Sequence, residues 1–463
     1  MTASGAHTDV HSEVLTALRA ALGGRLDTSP EALSAARADK SGHAAPGTPI
    51  AVVHAASIAD VQATLRIATE TGTPVVPRGA GTGLAGGANT GTGEIALSVR
   101  AMDRLLEVRA DDLLAVVEPG IINADLNEAL APHGVWWAPD PASRAISTVG
   151  GNIATGAGGL LCAKYGVVRD AVLGLDVVLA DGRLLHLGHR SVKGVTGLDL
   201  TSLFIGSEGV LGVIVGATLK LRRIVPGAVH TLAATFPDVH AAAAASAAVT
   251  AAGLQPSIME LMDATSLAAT HRLLHLPAPE PGAAHLTVQT DGPAAADEAA
   301  AIERVLRQAG GDVVASGDRA EGERLLAIRR SMHPAMETLG TTLIEDVAVP
   351  RSRLAEMFDE VARVEREHAV TIPVVAHAGD GNLHPNFIFE GPDVPAQIWA
   401  AADDLFRSAL RLGGTLTGEH GIGILKSRWL ADELGEDQWR LQRDVKAVFD
   451  PRGILNPGKV FAG

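Results

Sequence analysis

The sequence predicts an α+β protein of two domains, because the pattern of apolar residues changes once along the 463-residue chain. Up to about Val225, short apolar runs bounded by glycine indicate a domain rich in β-strands. From residue 227 to 345, strands alternate with long helices, which is typical of a second, α+β domain. A chain of this length also has room for two or three domains of roughly 150 residues, each with a buried core.

The expected domain boundaries follow from these changes in pattern. Residues 1–44 are predicted to form a short helix, over residues 12–23, and a polar linker. The first domain is predicted at residues 45–224 and the second at residues 225–449. Residues 450–463 are predicted to form a short tail, for which an ordinary turn and terminal strand is the simplest interpretation.

The first domain opens with a strand, a helix and a second strand. The helix lies between Ser57, a residue type that caps helix N-termini, and Gly72 at its C-terminus. The strand segments predicted in the first domain are IAVVHAA, TPVVPRG, LLAVVEPG, DVVLADGRLLHLG and VLGVIVGATLKLRRI. The second domain is predicted to contain the strands TLAATF and HLTVQT and the helices HAAAAASAAVTAAG and PAAADEAAAIERVLRQAGG.

Composition excludes several classes of protein. The net charge of −15 opposes a broad cationic surface for nucleic acid, and five Trp, one Tyr and eight Phe are too few for base-stacking platforms. Cys162 is the one cysteine, which excludes disulfides within the chain, iron–sulfur clusters bound by four of its own thiolates and cysteine-rich zinc sites. Redox chemistry would therefore need a bound organic cofactor, or a metal held by histidine and carboxylate side chains.

No segment predicts export or membrane insertion. The N-terminus lacks the basic start and apolar stretch of a secretory signal, and the alanine-rich stretch at residues 239–252 is too short to span a bilayer. We expect a cytoplasmic protein without a transmembrane segment, and peripheral attachment to a membrane partner stays open. The oligomeric state, including a homodimer, also stays open.

A glycine-rich segment follows the second predicted strand. Seven glycines lie within the fifteen residues from Gly79 to Gly93, which would let backbone N–H groups converge on an anion such as pyrophosphate. Residues 81–86 match G-x-G-x-x-G, but the sequence that follows cannot sustain the helix that a Rossmann motif requires. Two further clusters, at residues 148–159 and 206–212 and each bordered by predicted strands, suggest several backbone segments around one extended dinucleotide. A flexible surface loop is the alternative interpretation of the first segment.

The order of three segments carries a strong family resemblance. They are PRGAGTGLAGG, then PDPASRAISTVGGNIATGAGG with KYGVVRDAVLGLDVVLADG, then TGLDLTSLFIGSEGVLG. Over about residues 45–463 the chain resembles the vanillyl-alcohol oxidase/PCMH superfamily of FAD-binding oxidoreductases, in the branch of D-lactate dehydrogenase, glycolate oxidase and D-2-hydroxyglutarate dehydrogenase. The resemblance implies a two-part PCMH-type FAD-binding domain, an α+β cap domain for substrate and metal, and a C-terminal tail that returns to the FAD domain.

The resemblance also implies a set of FAD contacts. Contacts to the pyrophosphate are expected from Pro77, Arg78, Gly79, Ala80, Gly81, Thr82, Gly83 and Leu84. Contacts to the flavin are expected from Ser147, Gly150, Gly151, Asn152, Gly158, Tyr165 and the tail residue Asn456, and contacts to the adenosine half from Glu208, Gly209 and Val213. The loop at residues 78–93 has no histidine, which favours non-covalent FAD, and Cys162 is expected to be a small core residue rather than a flavin anchor.

Two histidines in the second domain are candidate metal ligands. His377 and His384 flank the turn-forming sequence Gly379-Asp380-Gly381-Asn382, which can fold the two imidazoles together. A catalytic metal then needs a third protein ligand and an open position, and Glu419 is the candidate. The alternative is that these are scattered members of the chain's 17 histidines. The resemblance implies that His377, His384 and Glu419 bind a divalent ion, zinc or else manganese or iron, and that His420 acts as general base.

The implied reaction is the oxidation of a D-2-hydroxy acid to the 2-oxo acid. Hydride would pass to flavin N5 while His420 removes the hydroxyl proton. By resemblance, the substrate contacts are Arg329, His333, expected one helical turn after it, and Asn386. The pair Ile344-Glu345 lacks the lysine expected for a second carboxylate, which favours D-lactate or glycolate over D-2-hydroxyglutarate.

Electrons would leave the flavin through a separate acceptor, because a single cysteine cannot build an internal relay. A cytochrome, a quinone, an electron-transfer flavoprotein or an iron–sulfur protein would serve. Two other functions stay open, the FAD-binding subunit of a glycolate oxidase complex and a His/His/Glu metallohydrolase. The metallohydrolase lacks the H-E-x-x-H spacing and leaves the glycine clusters unexplained.

Overall fold

The computed structural model describes residues 3–461 of the chain, and their side chains from residue 11 onward. The chain forms two compact units. Unit 1 consists of Met1–Gly158, Val167–Ile224 and Glu419–Gly463, and unit 2 consists of Gly159–Gly166 and Val225–Gly418. Both units mix helices with sheets, so the predicted α+β class is confirmed.

The helices, in chain order, are α1 (Ala3–Leu22), α2 (Pro30–Ala36), α3 (Ile58–Thr71), α4 (Asn123–Leu130), α5 (Val149–Thr155), α6 (Cys162–Tyr165), α7 (Leu200–Phe204), α8 (Val239–Ala251), α9 (Ala264–Leu273), α10 (Ala295–Gln308), α11 (Arg319–Arg330), α12 (Met332–Glu337), α13 (Leu354–His368), α14 (Ala396–Arg411), α15 (Leu430–Leu434) and α16 (Glu436–Phe449). The first helix begins well before the predicted residue 12, and the predicted linker contains α2. None of the helices in residues 3–461 has the length and apolar character needed to cross a membrane.

The strands, in chain order, are β1 (Leu26–Asp27), β2 (Ala51–His54), β3 (Val75–Arg78), β4 (Ile95–Ser98), β5 (Leu105–Arg109), β6 (Leu114–Val117), β7 (Val135–Trp136), β8 (Val172–Val178), β9 (Leu184–Gly188), β10 (Val213–Lys220), β11 (Arg222–Arg223), β12 (His230–Phe236), β13 (Ile258–Met262), β14 (Ala284–Thr290), β15 (Asp312–Ser316), β16 (Thr341–Ile344), β17 (Val347–Ala348), β18 (Val374–His377) and β19 (Asn382–Phe389). Each strand segment predicted from the sequence overlaps at least one of these strands.

Unit 1 contains two main sheets. In the first, β2, β4 and β3 run parallel and β1 joins the β2 edge antiparallel. The helix between β2 and β3 is capped as predicted, since the Ser57 side chain accepts the N–H of Asp60 and Gly72 adopts a left-handed conformation. The second sheet is antiparallel, in the order β5-β6-β10-β8-β9, and its core includes Trp137 and Phe204.

The three glycine clusters take different conformations. Residues 79–94 form a loop without a helix, as the sequence predicted. The second cluster contains α5, because the Thr148 side chain accepts the N–H of Gly151 and caps that helix. The third cluster, residues 206–212, lies between α7 and β10. Strands therefore do not border the clusters throughout: the second cluster contains a helix, and the third follows a helix and precedes a strand.

Unit 2 is built on one eight-stranded antiparallel sheet. Its strand order is β15-β12-β14-β13-β18-β19-β16, and β17 also pairs with β19. The predicted helices α8 and α10 are both present, and Asp238 caps α8 by accepting the N–H of Ala241. The order places β13, β18 and β19 side by side, and these strands carry most of the candidate site of this unit.

The chain passes from unit 1 to unit 2 between residues 224 and 225, where a boundary was predicted, but it also changes unit at places that were not predicted. Residues 159–166 lie in unit 2, where Lys164 and Tyr165 both donate to the carboxylate of Asp291. Residues 419–449 lie in unit 1, where Lys446 donates to the carbonyl of Val210 at 2.9 Å. Both differences come from contacts between residues that are distant in sequence, which local composition does not show.

Candidate active site

The loop after β3 approaches the start of α5 closely. A Cβ atom placed on Gly79 would lie 2.4 Å from Oγ1 of Thr148, and one on Gly150 would lie 2.5 Å from Cβ of Pro119. Side chains at these two positions would collide with their neighbours, so the close approach requires glycine. Backbone that lacks side chains in this way is of the kind that can receive phosphate groups.

The side chain of Arg78 holds the glycine loop in place. Its guanidinium donates to the carbonyls of Ala38 and Ala88, each at 2.8 Å. Burial lowers the pKa of Arg78, and the charge of Asp39 partly offsets that effect. Because the guanidinium is committed to carbonyls, a contact from this segment to a pyrophosphate would come from backbone N–H groups.

Three residues predicted to contact the flavin carry buried polar atoms that have no hydrogen-bond partner among the described residues. These atoms are Oγ of Ser147, Nδ2 of Asn152 and Oδ1 of Asn456. A buried polar atom left unpaired costs about 1–3 kcal/mol, so such atoms are typical of a site that a polar ligand completes. Together with the glycine backbone, they show that the residues of unit 1 fit an FAD.

Glu208 joins several loops of unit 1. Its carboxylate accepts the N–H groups of Ile422 at 2.7 Å and Gly423 at 2.8 Å. The side chain of Asn456 donates to the carbonyls of Glu208 and Gly87. Burial raises the pKa of Glu208 to about 7, although the two backbone N–H groups oppose the shift. In the structure this residue organises the glycine loop, the tail and the segment that follows His420, a role the sequence did not predict.

The other residues predicted to contact FAD lie in both units. Residues 80–84 belong to the loop after β3, Gly209 has a φ of +75°, and Val213 begins β10, all in unit 1. Tyr165 lies in unit 2, where its hydroxyl donates to Asp291 at 2.6 Å. The FAD contacts of these residues stay predictions.

The two candidate metal-binding histidines are brought together by a hairpin. His377 ends β18, and His384 lies on β19, which follows after the turn at residues 378–381. The register pairs Val375 with His384, so the two histidines are diagonal neighbours on one face of the sheet. Their ring centroids are 4.9 Å apart and both side chains are buried. The predicted turn, with Gly381 at a φ of +88°, is confirmed.

Glu260 is a residue of this region that the sequence analysis missed. It lies opposite His377 in the pairing of β13 with β18, and its Oε1 is 2.7 Å from Nδ1 of His377. Its Oε2 accepts the Nε–H of Arg329, also at 2.7 Å. Burial opposes ionisation of Glu260, but the charges of His377 and Arg329 outweigh it and hold the pKa of this carboxyl below its ordinary value. The signal in the sequence that could have identified Glu260 is a single acidic residue within the apolar strand sequence IMELM.

Asp346 anchors the segment that leads to Glu419. Its fully buried carboxylate accepts the hydroxyl of Thr417 at 2.9 Å and the N–H of Gly418 at 2.6 Å. The next residue, Val347, pairs with Leu383, the neighbour of His384. Unit 2 therefore holds the backbone immediately before Glu419 at a defined place relative to the histidine hairpin.

Glu419 and His420 begin the last segment of unit 1. Their side chains are mostly buried, and the closest carboxylate oxygen and ring nitrogen are 3.9 Å apart. A Cβ atom on Gly158 would lie 2.5 Å from Oε2 of Glu419, so the glycine makes room for this carboxylate. The segment is an irregular loop with Gly421 at a φ of +85°.

Asn386 lies on β19 on the same face as His384. Its Nδ2 donates to the carbonyl of His384 at 2.8 Å, while its buried Oδ1 has no hydrogen-bond partner among residues 3–461. Ile344 of β16 pairs directly with Asn386. The amide oxygen of Asn386 and the apolar side chain of Ile344 therefore lie next to the histidine pair.

His333 does not lie one helical turn after Arg329, as the sequence predicted. The helix α11 ends at Arg330, and His333 belongs to the next helix, α12. The reason is Pro334, which has no N–H to donate to the carbonyl four residues earlier. The His333 side chain is 60% exposed and lies 4.0 Å from Glu337.

Comparison with known proteins identifies relatives over nearly the whole chain. The family model described as "FAD linked oxidases, C-terminal domain" matches residues 225–460, and the one described as "FAD binding domain" matches residues 49–188. The glycolate oxidase subunit GlcD of Bacillus subtilis (strain 168) is 37% identical over 422 residues, which are 89% of this chain and 89% of the relative. The D-lactate dehydrogenase of Archaeoglobus fulgidus is 36% identical over 413 residues, 88% of this chain and 90% of the relative.

A solved structure of p-cresol methylhydroxylase with substrate bound has a TM-score of 0.80 and 16% identity, and covers 98% of this chain and 97% of that chain. At this identity the likeness shows the fold alone, and it confirms the predicted two-part PCMH-type architecture with a cap domain. The family matches and the two relatives above go further than the fold. The chain belongs to the FAD-linked oxidases and is an oxidoreductase.

Proposed function

We propose that the protein oxidises a D-2-hydroxy acid, D-lactate or glycolate, to the corresponding 2-oxo acid. The observation that carries this proposal is the pair of buried imidazoles, His377 and His384, which Glu260 joins to Arg329. The imidazoles can bind a metal, which would activate the hydroxyl of a 2-hydroxy acid. The guanidinium can bind the carboxylate of the same substrate. Relatives named as a D-lactate dehydrogenase and a glycolate oxidase subunit support the same substrate class.

In this proposal His377, His384 and Glu419 are the ligands of a divalent metal, zinc or else manganese or iron. Two features support the assignment. The ring nitrogen Nδ1 of His377 faces a carboxylate, as metal-binding histidines usually do, and Asp346 fixes Gly418 next to Glu419. When bound, the ion would act as a Lewis acid that lowers the pKa of the substrate hydroxyl.

Proton removal is assigned to His420, and FAD is proposed to be bound non-covalently by the residues predicted from the sequence. When bound, FAD supplies the acceptor for the hydride that leaves the α-carbon. The side chain of His420 is mostly buried, and an imidazole can accept the hydroxyl proton near neutral pH. Ser147, Asn152 and Asn456 offer buried polar atoms to the flavin.

Substrate selection is assigned to Arg329 and Asn386. The contact with Glu260 uses only Nε of Arg329, so its two terminal NH2 groups keep the forked geometry that suits a carboxylate. Ile344 pairs with Asn386 on the neighbouring strand and presents an apolar side chain there, and neither Ile344 nor Glu345 is the lysine expected for a second substrate carboxylate. Both observations favour a monocarboxylate. His333, with its exposed side chain, has the weakest support among the predicted substrate contacts.

The electrons are proposed to pass from the flavin to a separate acceptor, a cytochrome, a quinone, an electron-transfer flavoprotein or an iron–sulfur protein. The relative GlcD is named as a subunit of glycolate oxidase, which favours a partner protein in this role. A cytoplasmic location, with peripheral attachment to a membrane partner, is part of the same proposal.

The test is anaerobic reduction of the purified protein by a panel of D- and L-2-hydroxy acids. We expect a yellow protein whose flavin absorbance bleaches with D-lactate or glycolate. His420→Ala should keep its FAD and lose turnover by about 10²–10⁴-fold, because a positioned base contributes that much. His186→Ala, which removes an exposed histidine from β9, is the matched control and should react normally. A protein that cannot take up FAD would end the proposal, and hydrolysis without flavin would favour the metallohydrolase.

A further inference from the structure

Glu260 contacts both the histidine and the arginine on which the proposed function depends. We propose that Glu260 is a positioning residue: it keeps the proton of His377 on Nδ1, so that the lone pair on Nε2 can bind a metal, and it holds Arg329 beside that histidine. The inference rests on the proposed function for the roles of the metal and the arginine. The contacts themselves lie within unit 2 and stand independently of those roles.

The geometry is that of one carboxylate with two separate donors. Oε1 of Glu260 faces Nδ1 of His377 and Oε2 faces Nε of Arg329, both at 2.7 Å. The side chain of Glu260 is 1% exposed, that of His377 7% and that of Arg329 15%. Water therefore has little access to replace either contact, and each oxygen has a distinct partner.

The ionised state of Glu260 determines which nitrogen of His377 carries the proton. Oε2 of Glu260 accepts the Nε–H of Arg329 at 2.7 Å, and because a guanidinium is always protonated in a protein, this buried pairing keeps Glu260 a carboxylate. A carboxylate accepts hydrogen bonds and cannot donate, and therefore Nδ1 of His377 must be the donor. A neutral histidine that donates from Nδ1 has its lone pair on Nε2, which is the atom then able to bind a metal.

Three secondary-structure elements fix this arrangement. Glu260 and His377 are directly opposite in the β13–β18 pair, which places their side chains on one face of the sheet. Arg329 reaches the same carboxylate from the last turn of α11, where a cation is also favoured by the helix dipole. A change at Glu260 is thus expected to move the histidine and the arginine together.

Glu260→Gln distinguishes a positioning role from a space-filling role. Glutamine has nearly the same shape as glutamate, so only the charge and the hydrogen bonds change. Arginine has only donors, so the amide oxygen of the glutamine would face Arg329 and its NH2 group would face His377. An NH2 group can only donate to Nδ1, which forces the proton of the neutral imidazole onto Nε2. The substitution therefore places a proton on Nε2, the nitrogen that the proposal assigns to the metal.

The first measurement is Zn²⁺ affinity, obtained by competition against a chromophoric chelator with Zn²⁺ as the sole added ligand. Glu260→Gln should weaken Zn²⁺ binding by about 10–100-fold, the usual effect of losing the carboxylate behind a metal-binding histidine. The matched control is Glu118→Gln, another buried glutamate that pairs with an arginine, Arg104, at 2.8 Å. Equal Zn²⁺ affinity in wild type and Glu260→Gln would overturn the inference.

The second measurement is the tautomer of His377 in the metal-free protein, read from imidazole ¹⁵N chemical shifts at alkaline pH and assigned by a His377→Gln sample. Wild type should show the Nδ1–H form, and Glu260→Gln the Nε2–H form. An Nε2–H form in wild type would overturn the inference even if the variant does not fold. If wild type binds no Zn²⁺ and oxidises no hydroxy acid, the proposed function fails, and the tautomer still decides the role of Glu260.

Discussion

Two buried glutamates, one in each unit, respond to burial in opposite ways. Glu208 in unit 1 is 9% exposed and Glu260 in unit 2 is 1% exposed, so water solvates neither well. Burial raises the pKa of Glu208 to about 7. Burial acts in the same direction on Glu260, yet the pKa of that group ends below its ordinary value. The difference lies in the partners that face each carboxylate.

Glu208 faces two backbone N–H groups, whereas Glu260 faces a guanidinium and an imidazole. Dipoles lower the energy of a buried charge, but the full positive charge of the guanidinium lowers it much further. Glu208 is therefore a loop-binding group that is protonated in part near neutral pH. Glu260 is a permanent acceptor, as its proposed positioning role requires.

The largest expected effect comes from leaving the carboxylate of Glu260 without its arginine. Arg329→Met should lower the free energy of unfolding by about 3–5 kcal/mol, because a buried charge that loses its partner keeps its desolvation penalty. Chemical denaturation measures the loss, and peptide-level hydrogen exchange should locate it in β13 and β18 of unit 2. Exchange in β10 of unit 1 should stay unchanged, since that strand belongs to a different sheet.

A wild-type-like unfolding curve for Arg329→Met would contradict this view of Glu260. It would mean that His377 alone, or a proton, satisfies the carboxylate. The pKa of Glu260 would then rise toward that of Glu208, and the contrast between the two glutamates would disappear.

The second effect is a pH dependence that belongs to Glu208. Between pH 4.5, the ordinary pKa of a glutamate, and about 7, the folded protein keeps a proton that the unfolded chain has released. Raising the pH through this window therefore favours unfolding, by about 3 kcal/mol in total. Glu208→Gln cannot titrate, so wild type should lose stability relative to this variant as the pH rises from 5 to about 7.

The measurement is the denaturation midpoint of both proteins at several pH values, and the slope of their difference is the result. The size of the difference at any one pH is not interpreted. In Glu208→Gln the glutamine NH2 group faces one of the N–H groups of Ile422 and Gly423, and two donors repel each other at every pH. If the difference in midpoint does not change with pH, or if it favours wild type as the pH rises, Glu208 is ionised throughout the range. The backbone N–H groups would then be sufficient to stabilise its buried carboxylate.

The sequence predicted those parts of the molecule that local signals determine. The helix between Ser57 and Gly72 and the hairpin turn before Asn382 each depend on residues next to one another, and both are present. Pairing of the two histidines follows from that turn. By contrast, the helical extension to His333 is wrong because a single residue, Pro334, ends the hydrogen-bond ladder.

What the sequence could not predict depends on long-range pairing. Glu260 is 117 residues from His377 and 69 from Arg329, and only the registers of β13 and β18 and the placement of α11 bring them together. The segment at residues 159–166 joins unit 2 through Asp291, more than a hundred residues away. Periodicity within a strand indicates which face a residue occupies and not which partner lies opposite.

The smallest expected effect concerns Arg324, which lies on the same helix as Arg329 and forms an exposed pair with Glu321. Both arginines pair with a glutamate, but the Arg324 side chain is 72% exposed and that of Arg329 only 15%. Water and salt screen the exposed pair, so Arg324→Ala should give no measurable change in the denaturation midpoint. If Arg324→Ala lost as much unfolding free energy as Arg329→Met, arginine on α11 would stabilise the helix itself. Burial of Glu260 would then no longer explain why Arg329 matters for stability.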